Sequence, residues 1–251
     1  MNITNIEWTD VTWNPVTGCS KVSTGCKNCY AERWAIMQSK RGIKQYKNGF
    51  EVTLSPDRLK DPYKWRKAKL VFVNSMSDLF HENIPEEYIQ EVFKVMNDLP
   101  RHTFQILTKR IERALEFSSV VNWSKNIWLG VSVENNDFTN RIDILKTTSA
   151  FRKFISYEPL LEHIGYNNYQ NIHWVLVGGE SGGKARKIEL EWVISIKNIC
   201  EIQNVPFFFK QWGKRNFNPD QSDPTTDKGH PLYAKGGCMI DKKAFRNYPK
   251  L

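Results

Sequence analysis

Residues 70–78 read LVFVNSMSD, so that four apolar residues are followed at once by asparagine, serine and aspartate. A short apolar run with β-branched and aromatic residues predicts a buried strand. The pattern recurs along the chain at intervals of about 20 to 35 residues, which is the spacing that one strand and one helix need. The further runs are 103–107, 127–131, 153–157, 173–177 and 206–209, with a shorter one before them at 11–13.

Helical patterns lie between these runs. The stretch after Pro85 carries Ile89, Val92, Phe93 and Met96 at the spacing of one helix face, and residues 191–203 carry a similar apolar pattern. Strands that alternate with helices indicate βα units on a parallel sheet. About six to seven such strands predict an α/β fold, a partial (β/α) TIM-type barrel. A doubly wound open sheet is the alternative.

The predicted barrel spans residues 1–215, with a cysteine loop at 18–32 that follows the first strand. Residues 216–251 contain several Pro and Gly residues and an excess of Lys, and they predict a basic C-terminal extension packed on the barrel. Within the extension, apolar side chains favour packing, whereas its lysines are also suited to contact with a polyanion.

Composition excludes several classes of protein. The 251 residues are 40% hydrophobic, with no run of 18 apolar residues, which argues against a membrane span and any membrane partner. No basic segment opens residues 1–7, so we expect a cytoplasmic protein without a secretory signal. The net charge of +9 fits either a solvated basic surface or a groove for nucleic acid.

The strongest signal is a loop with three cysteines, Cys19, Cys26 and Cys29, spaced C-x6-C-x2-C, which runs into a predicted helix that begins near Tyr30. Clustered thiols in a reducing compartment favour a metal site over a disulfide framework. Three thiolates suit a [4Fe–4S] cluster that keeps one iron free of protein ligands. Zinc would need a fourth ligand, for which Cys238 or a histidine is a candidate. Free or redox-active thiols are the third possibility.

Polar residues follow each predicted strand, at the end where barrel enzymes carry their chemistry. Lys109 and Arg110 are suited to hold a carboxylate or phosphate, or they form a solvated first helical turn. His81 and Glu82 are a candidate acid–base pair, or a polar pair that opens a loop. The remaining candidates are carboxylates: Asp78 as a polar site contact, and Glu134 and Glu158 as groups facing the barrel mouth or as partners of Lys109 or Lys210 in a salt bridge.

The cysteine loop, with residues 13–32, resembles a phage- and prophage-associated family of unknown function that itself resembles radical S-adenosylmethionine enzymes. The resemblance continues at residues 74–81, 107–110, 130–135, 156–160, 178–182 and 209–213, so it covers nearly the whole chain. The ends of the strands also resemble, distantly, spore photoproduct lyase, a DNA-repair member of the radical superfamily.

The chain departs from the superfamily at three points. The usual cysteine spacing is C-x3-C-x2-C, and an aromatic residue usually precedes the last cysteine. Here the first gap is six residues, Asn28 precedes Cys29, and Tyr30 follows it. The Gly-Gly-Glu usual after the second strand is replaced by residues 75–78.

The resemblance implies an enzyme that binds a [4Fe–4S] cluster through the three cysteines and cleaves S-adenosylmethionine to a 5′-deoxyadenosyl radical. It implies a low-potential electron donor, flavodoxin- or ferredoxin-like, as a partner. A nucleic-acid base or nucleotide is the substrate class that the net charge favours. The cofactor contacts expected at the loop and strand ends are Tyr30, Ser75, Asp78, Lys109, Glu134 and Glu158.

Two other functions are consistent with the same residues. A zinc- or cluster-stabilised nucleic-acid-binding protein would need the thiols but no catalysis, and metal analysis separates it from the enzyme. An interaction subunit on a barrel without chemistry would need no carboxylates at its strand ends.

Overall fold

A computed structural model describes Thr4 and residues 6–250. Met1 to Ile3, Asn5 and Leu251 lie outside the described residues. The expectation that no secretory signal opens the chain therefore falls in part on residues whose structure is not described. In the described part of the chain, no helix is both long enough and apolar enough to cross a membrane.

The helices and strands are numbered in chain order. The helices are α1 (Tyr30–Lys40), α2 (Glu86–Asp98), α3 (Ile111–Glu116), α4 (Asn140–Thr147) and α5 (Leu190–Ile202). The strands are β1 (Val11–Trp13), β2 (Val16–Thr17), β3 (Thr53–Leu54), β4 (Leu70–Val73), β5 (Thr103–Thr108), β6 (Ile127–Ser132), β7 (Arg152–Tyr157), β8 (Trp174–Gly178), β9 (Phe207–Gln211), β10 (Met239–Ile240) and β11 (Lys243–Ala244).

Seven strands form one sheet in the order β1-β4-β5-β6-β7-β8-β9. Apart from β2 and β3, which form a separate sheet, the strands from β1 to β9 are neighbours in the order in which they follow one another in the chain. Val71 of β4 pairs in parallel with Val11 of β1 and with Phe104 of β5. This order and direction are those of an incomplete (β/α) barrel, and the predicted fold class is confirmed. All seven predicted strands are present, as are the helices predicted after Pro85 and at 191–203, because their apolar residues recur at the periods of buried strands and amphipathic helices. The helix predicted to begin near Tyr30 is present as well.

Several elements were not predicted. Helices α3 and α4 are short, with six and eight residues, and too few apolar positions recur in them to show a helical period. The pairs β2–β3 and β10–β11 are two-residue strands in separate antiparallel sheets. Strands this short carry almost no alternation of side chains, so a sequence pattern cannot show them.

The chain divides into two compact units. One contains the residues up to Gly130 together with Thr147–Arg152, and the other contains Val131–Lys146 with the residues from Lys153 onward. In the first unit α2 buries one apolar face, and β4 and β5 supply fully buried side chains. The second unit buries large aromatic residues of β7 to β9, among them Tyr157, Trp174 and Phe208.

Within the second unit, the C-terminal extension packs along β8 and β9. The Phe209 backbone N–H donates to Phe245 O at 2.7 Å, and the Trp174 indole donates to Asn247 O at 2.8 Å. Buried Asp223 organises the turn before β10: it accepts from Asn218 Nδ2 at 2.8 Å and from the Thr225 hydroxyl at 2.6 Å. Burial raises the pKa of Asp223, but these hydrogen bonds outweigh it and hold the pKa below its ordinary value of 3.8.

Changing Asp223 to Asn should lower the free energy of unfolding by about 1–3 kcal/mol at neutral pH, because a buried acceptor is lost while its donors remain. A carboxylate with a lowered folded pKa stabilises above its unfolded pKa and loses this effect as the pH falls through the folded value. The two proteins should therefore converge in stability in acid. Urea denaturation from pH 7 to pH 3 measures both effects, and Asp143→Asn, at an exposed ion pair, is the control. Equal stability at pH 7 would contradict the role given to Asp223.

Candidate functional site

The cysteine loop follows β2 and is fixed to the end of β4. The Gly18 N–H donates to Met76 O at 3.0 Å, and Gly18 forms a parallel bridge with Ser77. The Cys19 N–H donates to Phe50 O at 3.0 Å. Gly18 has a φ of +87°, and a Cβ there would overlap the backbone oxygen of Glu51, so glycine is required immediately before the first cysteine. The loop is thus fastened to the sheet through its backbone.

The three thiols are free and partly exposed. Cys26 ends a short 3-10 turn, where its sulfur lies 3.5 Å from the Ser23 hydroxyl. Cys29 stands directly before α1 as its N-cap residue. The prediction that a helix begins near Tyr30 is confirmed, and it places the last cysteine at a helix N-terminus, where the macrodipole favours an anionic group.

Arg110 lies at the centre of the site. It follows β5 and precedes α3, and it is buried. Its Nη1 lies 3.4 Å from Cys19 Sγ and 3.4 Å from Asp78 Oδ2, and its Nε donates to Glu82 Oε2 at 2.9 Å. Its Nη2 donates to the backbone oxygen and the hydroxyl of Ser20, at 3.2 and 2.7 Å. These contacts equal the number of N–H donors that a guanidinium has, so the alternative of a solvated turn is wrong for Arg110.

Asp78 joins the ends of β4 and β5. Besides Arg110, its carboxylate accepts from the Thr108 hydroxyl at 2.8 Å and from the backbone N–H groups of Lys109 and Phe80, both at 3.0 Å. The side chain is buried. Asp78 therefore balances the charge of Arg110 and holds the strand ends together, and its predicted contact with a cofactor stays a prediction.

Ser20, His81 and Glu82 form a hydrogen-bonded group beside Arg110. The Asn83 N–H donates to His81 Nδ1 at 3.1 Å, which assigns the ring proton to Nε2, and Nε2 lies 2.9 Å from the Ser20 hydroxyl. That hydroxyl donates to Glu82 at 3.2 Å. Burial and then the neighbouring Arg110 lower the pKa of His81. A hydrogen bond from the backbone of Glu82 to its own carboxylate, together with Arg110, lowers the pKa of Glu82 to about 2. At neutral pH the pair is a neutral imidazole and a carboxylate.

The electrostatics of the thiols follow from burial. Desolvation and then the Asp78 carboxylate raise the pKa of Cys19 to about 11, against the opposing effect of Arg110. Burial also raises the pKa of Cys29. Both groups are therefore protonated thiols at neutral pH in the metal-free chain. A metal that binds them must displace protons, so its affinity rises with pH.

The other predicted contacts of the first unit lie beside this network. The Tyr30 side chain is half exposed, and its hydroxyl donates to Ser75 O at 2.6 Å. The Ser75 hydroxyl donates to Asn14 Oδ1 at 3.2 Å. Lys109 is bound to Asp78 through its backbone N–H. The first unit thus brings Tyr30 and Ser75 together, and Lys109 and Asp78 together.

The two predicted glutamates belong to the second unit, where both take part in ion pairs. Glu134 is fully buried and lies 3.1 Å from Arg141. Glu158 lies 3.1 Å from Lys210 and also accepts from the Ser156 hydroxyl at 3.3 Å. The alternative of a salt bridge with Lys210 is confirmed for Glu158. Contact of either glutamate with a cofactor stays a prediction.

In the part of the chain that is described, no three His, Cys, Asp or Glu side chains are close enough to hold one metal ion as they stand. A [4Fe–4S] cluster presents a separate iron to each thiolate, so it needs its sulfurs farther apart than one ion does. Cys238, the candidate fourth zinc ligand, is buried in the second unit, where Arg246 donates to its sulfur at 3.2 Å. Cys200 is buried as well.

Arg110 and Ser20 are not among the predicted cofactor contacts. Lys109 and Arg110 both follow β5. Their positions in the sequence do not show which of the two side chains forms an ion pair within the fold. A signal was present in the two acidic residues, Asp78 and Glu82, at the end of the neighbouring strand. A buried carboxylate such as Asp78 needs a cation, and the planar guanidinium of Arg can bind a second carboxylate, here the exposed Glu82, at the same time.

Fold and site together define a parallel α/β protein of the partial-barrel type with a loop of three free cysteines fastened to its strand ends. The chain belongs to a family described as a protein of unknown function, DUF5131, whose model matches residues 3–246. The matched range includes the three cysteines and every predicted site residue. No match to a curated protein or to a solved structure is found.

Changing Asp78 to Ala should lower the free energy of unfolding by about 3–5 kcal/mol, because the buried charge of Arg110 would lose its buried carboxylate partner and keep only the exposed Glu82. Thermal and urea denaturation of the metal-free chain measure this. The control is Asp98→Ala, which removes a carboxylate from an exposed pair with Lys94 and should change stability little. Equal effects of the two substitutions would show that Asp78 does not hold the strand ends.

Proposed function

We propose that this protein is a cytoplasmic radical S-adenosylmethionine enzyme that acts on a nucleic-acid base or nucleotide. The observation that carries the proposal is the loop of three free thiols, fixed by its backbone to β4 and by Arg110 to β5. Five free cysteines without a disulfide suit a reducing compartment. The substrate class is supported by the net charge of +9.

The donor set fits a [4Fe–4S] cluster. Cys19, Cys26 and Cys29 would hold three of its irons, and the last two are joined through the backbone, where the Cys29 N–H donates to Cys26 O at 3.3 Å. A cluster with three thiolates is anionic, and the Arg110 cation already lies against one of the sulfurs. When bound, such a cluster supplies the electron that cleaves S-adenosylmethionine to a 5′-deoxyadenosyl radical, which removes a hydrogen atom from the substrate.

The residues around the thiols have separate tasks in this proposal. Arg110 fixes Cys19 and balances its charge once the thiol proton is lost. Asp78 and Glu82 keep Arg110 in place, so neither is available as a general acid. Lys109 is the cation suited to the carboxylate of S-adenosylmethionine. Tyr30, held by Ser75, keeps an aromatic ring beside the last cysteine, in the part of the loop where the superfamily uses one.

Anaerobic reconstitution should load about four iron and four sulfide per chain, with a brown absorbance. Changing Cys19, Cys26 or Cys29 to Ala should remove that absorbance. The matched controls are Cys200→Ala and Cys238→Ala, since both thiols are buried elsewhere and should leave the iron content unchanged. S-adenosylmethionine should then alter the electron paramagnetic resonance spectrum of the reduced cluster.

Two results would overturn the proposal. One equivalent of zinc without iron in the natively purified protein would favour a zinc-stabilised nucleic-acid-binding protein. A loaded cluster whose spectrum ignores saturating S-adenosylmethionine would leave an iron–sulfur protein with another activity. A flavodoxin- or ferredoxin-like protein is the electron donor that the proposal requires, and it should reduce the cluster in the reconstituted enzyme.

Lys109→Met should weaken binding of S-adenosylmethionine by about 10- to 150-fold at unchanged iron content, because one charge-assisted hydrogen bond is lost. Isothermal titration of the reconstituted variant measures the affinity. Lys60→Met, which removes an exposed lysine from a turn of the same unit, is the control and should bind as the wild type does. Unchanged affinity in Lys109→Met would assign Lys109 to the substrate or to the fold instead.

A further inference from the structure

Helix α1 packs its small residues inward and its large residues outward. Ala31, Ala35 and Gln38 are buried, and the two alanines form a small core with Tyr46 and Met76. An amphipathic helix ordinarily buries its large apolar side chains. Here the exposed fractions are 51% for Tyr30, 48% for Trp34 and 43% for Ile36. Packing within its unit does not explain why this helix carries aromatic residues.

The exposed side of α1 also carries basic residues. Tyr30, Arg33, Trp34 and Met37 follow the i, i+3, i+4, i+7 spacing of one stripe, and Lys40 and Arg41 lie exposed at its end. Residues 21–47 contain seven basic side chains and one acidic, Glu32. Glu32 pairs with Lys21 at 2.9 Å. This short segment therefore carries much of the net charge of +9.

We propose that the exposed stripe of α1, defined by Tyr30, Arg33, Trp34, Lys40 and Arg41, binds single-stranded nucleic acid. Residues four apart on a helix lie about 5–6 Å from each other at their Cβ atoms, so the rings of Tyr30 and Trp34 can each take a neighbouring base. Exposed aromatic rings that alternate with cations are how sequence-tolerant single-strand binders hold bases and phosphates together. In a duplex the bases are already stacked on one another, so the rings select for a single strand.

The stripe begins at the residue that follows Cys29, so a bound strand would lie beside the cysteine loop. The proposed function names a nucleic-acid base or nucleotide as the substrate, and this proposal adds that the base lies in a single strand bound on α1. It rests on the proposed function for that link. Its own support is the surface of α1, which contains no cluster ligand. Tyr30 is shared with the proposed cofactor site, so the test changes Trp34, Lys40 and Arg41 instead. Binding can therefore be measured on the metal-free chain, and the loss of one proposal leaves the other standing.

The test is fluorescence anisotropy of the metal-free, full-length chain with labelled single strands of roughly 12 nucleotides, DNA and RNA, and with the matching duplex. Trp34→Ala should weaken single-strand binding by about 5- to 150-fold, which corresponds to one lost stacking contact. The matched control is Phe151→Ala. Phe151 is 49% exposed in the same unit and also lies beside two cations, Lys125 and Arg152, but it is not on α1.

The charges are tested with a double variant, Lys40→Gln with Arg41→Gln. If both contact phosphates, the slope of log affinity against log salt should become shallower by about 1.4, since each contact on a single strand contributes roughly 0.7. The control is Lys228→Gln with Lys235→Gln, which removes two exposed lysines from the C-terminal extension. Circular dichroism confirms that every variant keeps its helix content.

Several results would overturn the proposal. Duplex bound as tightly as single strand would exclude stacking on α1. A loss caused by the extension variant, and not by the α1 variants, would place the polyanion on the extension. If Trp34→Ala weakens binding of an acidic flavodoxin-like donor but leaves oligonucleotide affinity unchanged, the stripe is the surface of a redox partner. Absence of oligonucleotide binding at low salt would exclude the stripe altogether.

Discussion

The site depends on how one buried arginine distributes its donors. Arg110, which follows β5, binds the cysteine loop at Cys19 and Ser20, and it binds Asp78 and Glu82 in the segment that follows β4. A buried guanidinium is stable only if its charge and all its N–H groups are matched. The loop therefore cannot move from the sheet without leaving donors unsatisfied, and the position of the first thiol is fixed by the charge balance of the strands behind it.

The same principle operates separately in the second unit. Glu134 with Arg141, and Glu158 with Lys210, neutralise each other at the ends of buried strands. The middles of buried parallel strands are apolar, so polar residues lie at the strand ends. A charge that is buried there is stable only if it is paired with an opposite charge. Ionic side chains at strand ends thus serve the fold first. A charged side chain at a strand end is therefore a candidate for ligand binding only if the fold does not already pair it with an opposite charge.

How far the sequence predicts the molecule differs between fold and site. The sequence predicts strands such as 70–73 and 153–157, and helix α2, because burial places their apolar residues at a regular period. The cysteine spacing likewise identifies the loop. The pairing of Arg110 with Cys19 could not be predicted, since 91 residues separate them and their contact depends on the register between loop and strand. Composition showed the net charge, whereas its concentration beside exposed aromatic residues became visible only on the helix surface.

Helix α1 also has a consequence for local stability. A face made of two alanines and a glutamine removes little apolar surface from water, so the side of α1 contributes little of the free energy that keeps it folded. Its attachment must come mainly from its ends, at Cys29 and at the turn after Lys40. Backbone amides in the middle of α1 should then exchange with solvent deuterium faster than those of α2, and whatever occupies the thiols or the outer stripe should slow that exchange. We therefore expect the protection of α1 from exchange to report whether a ligand is bound beside it.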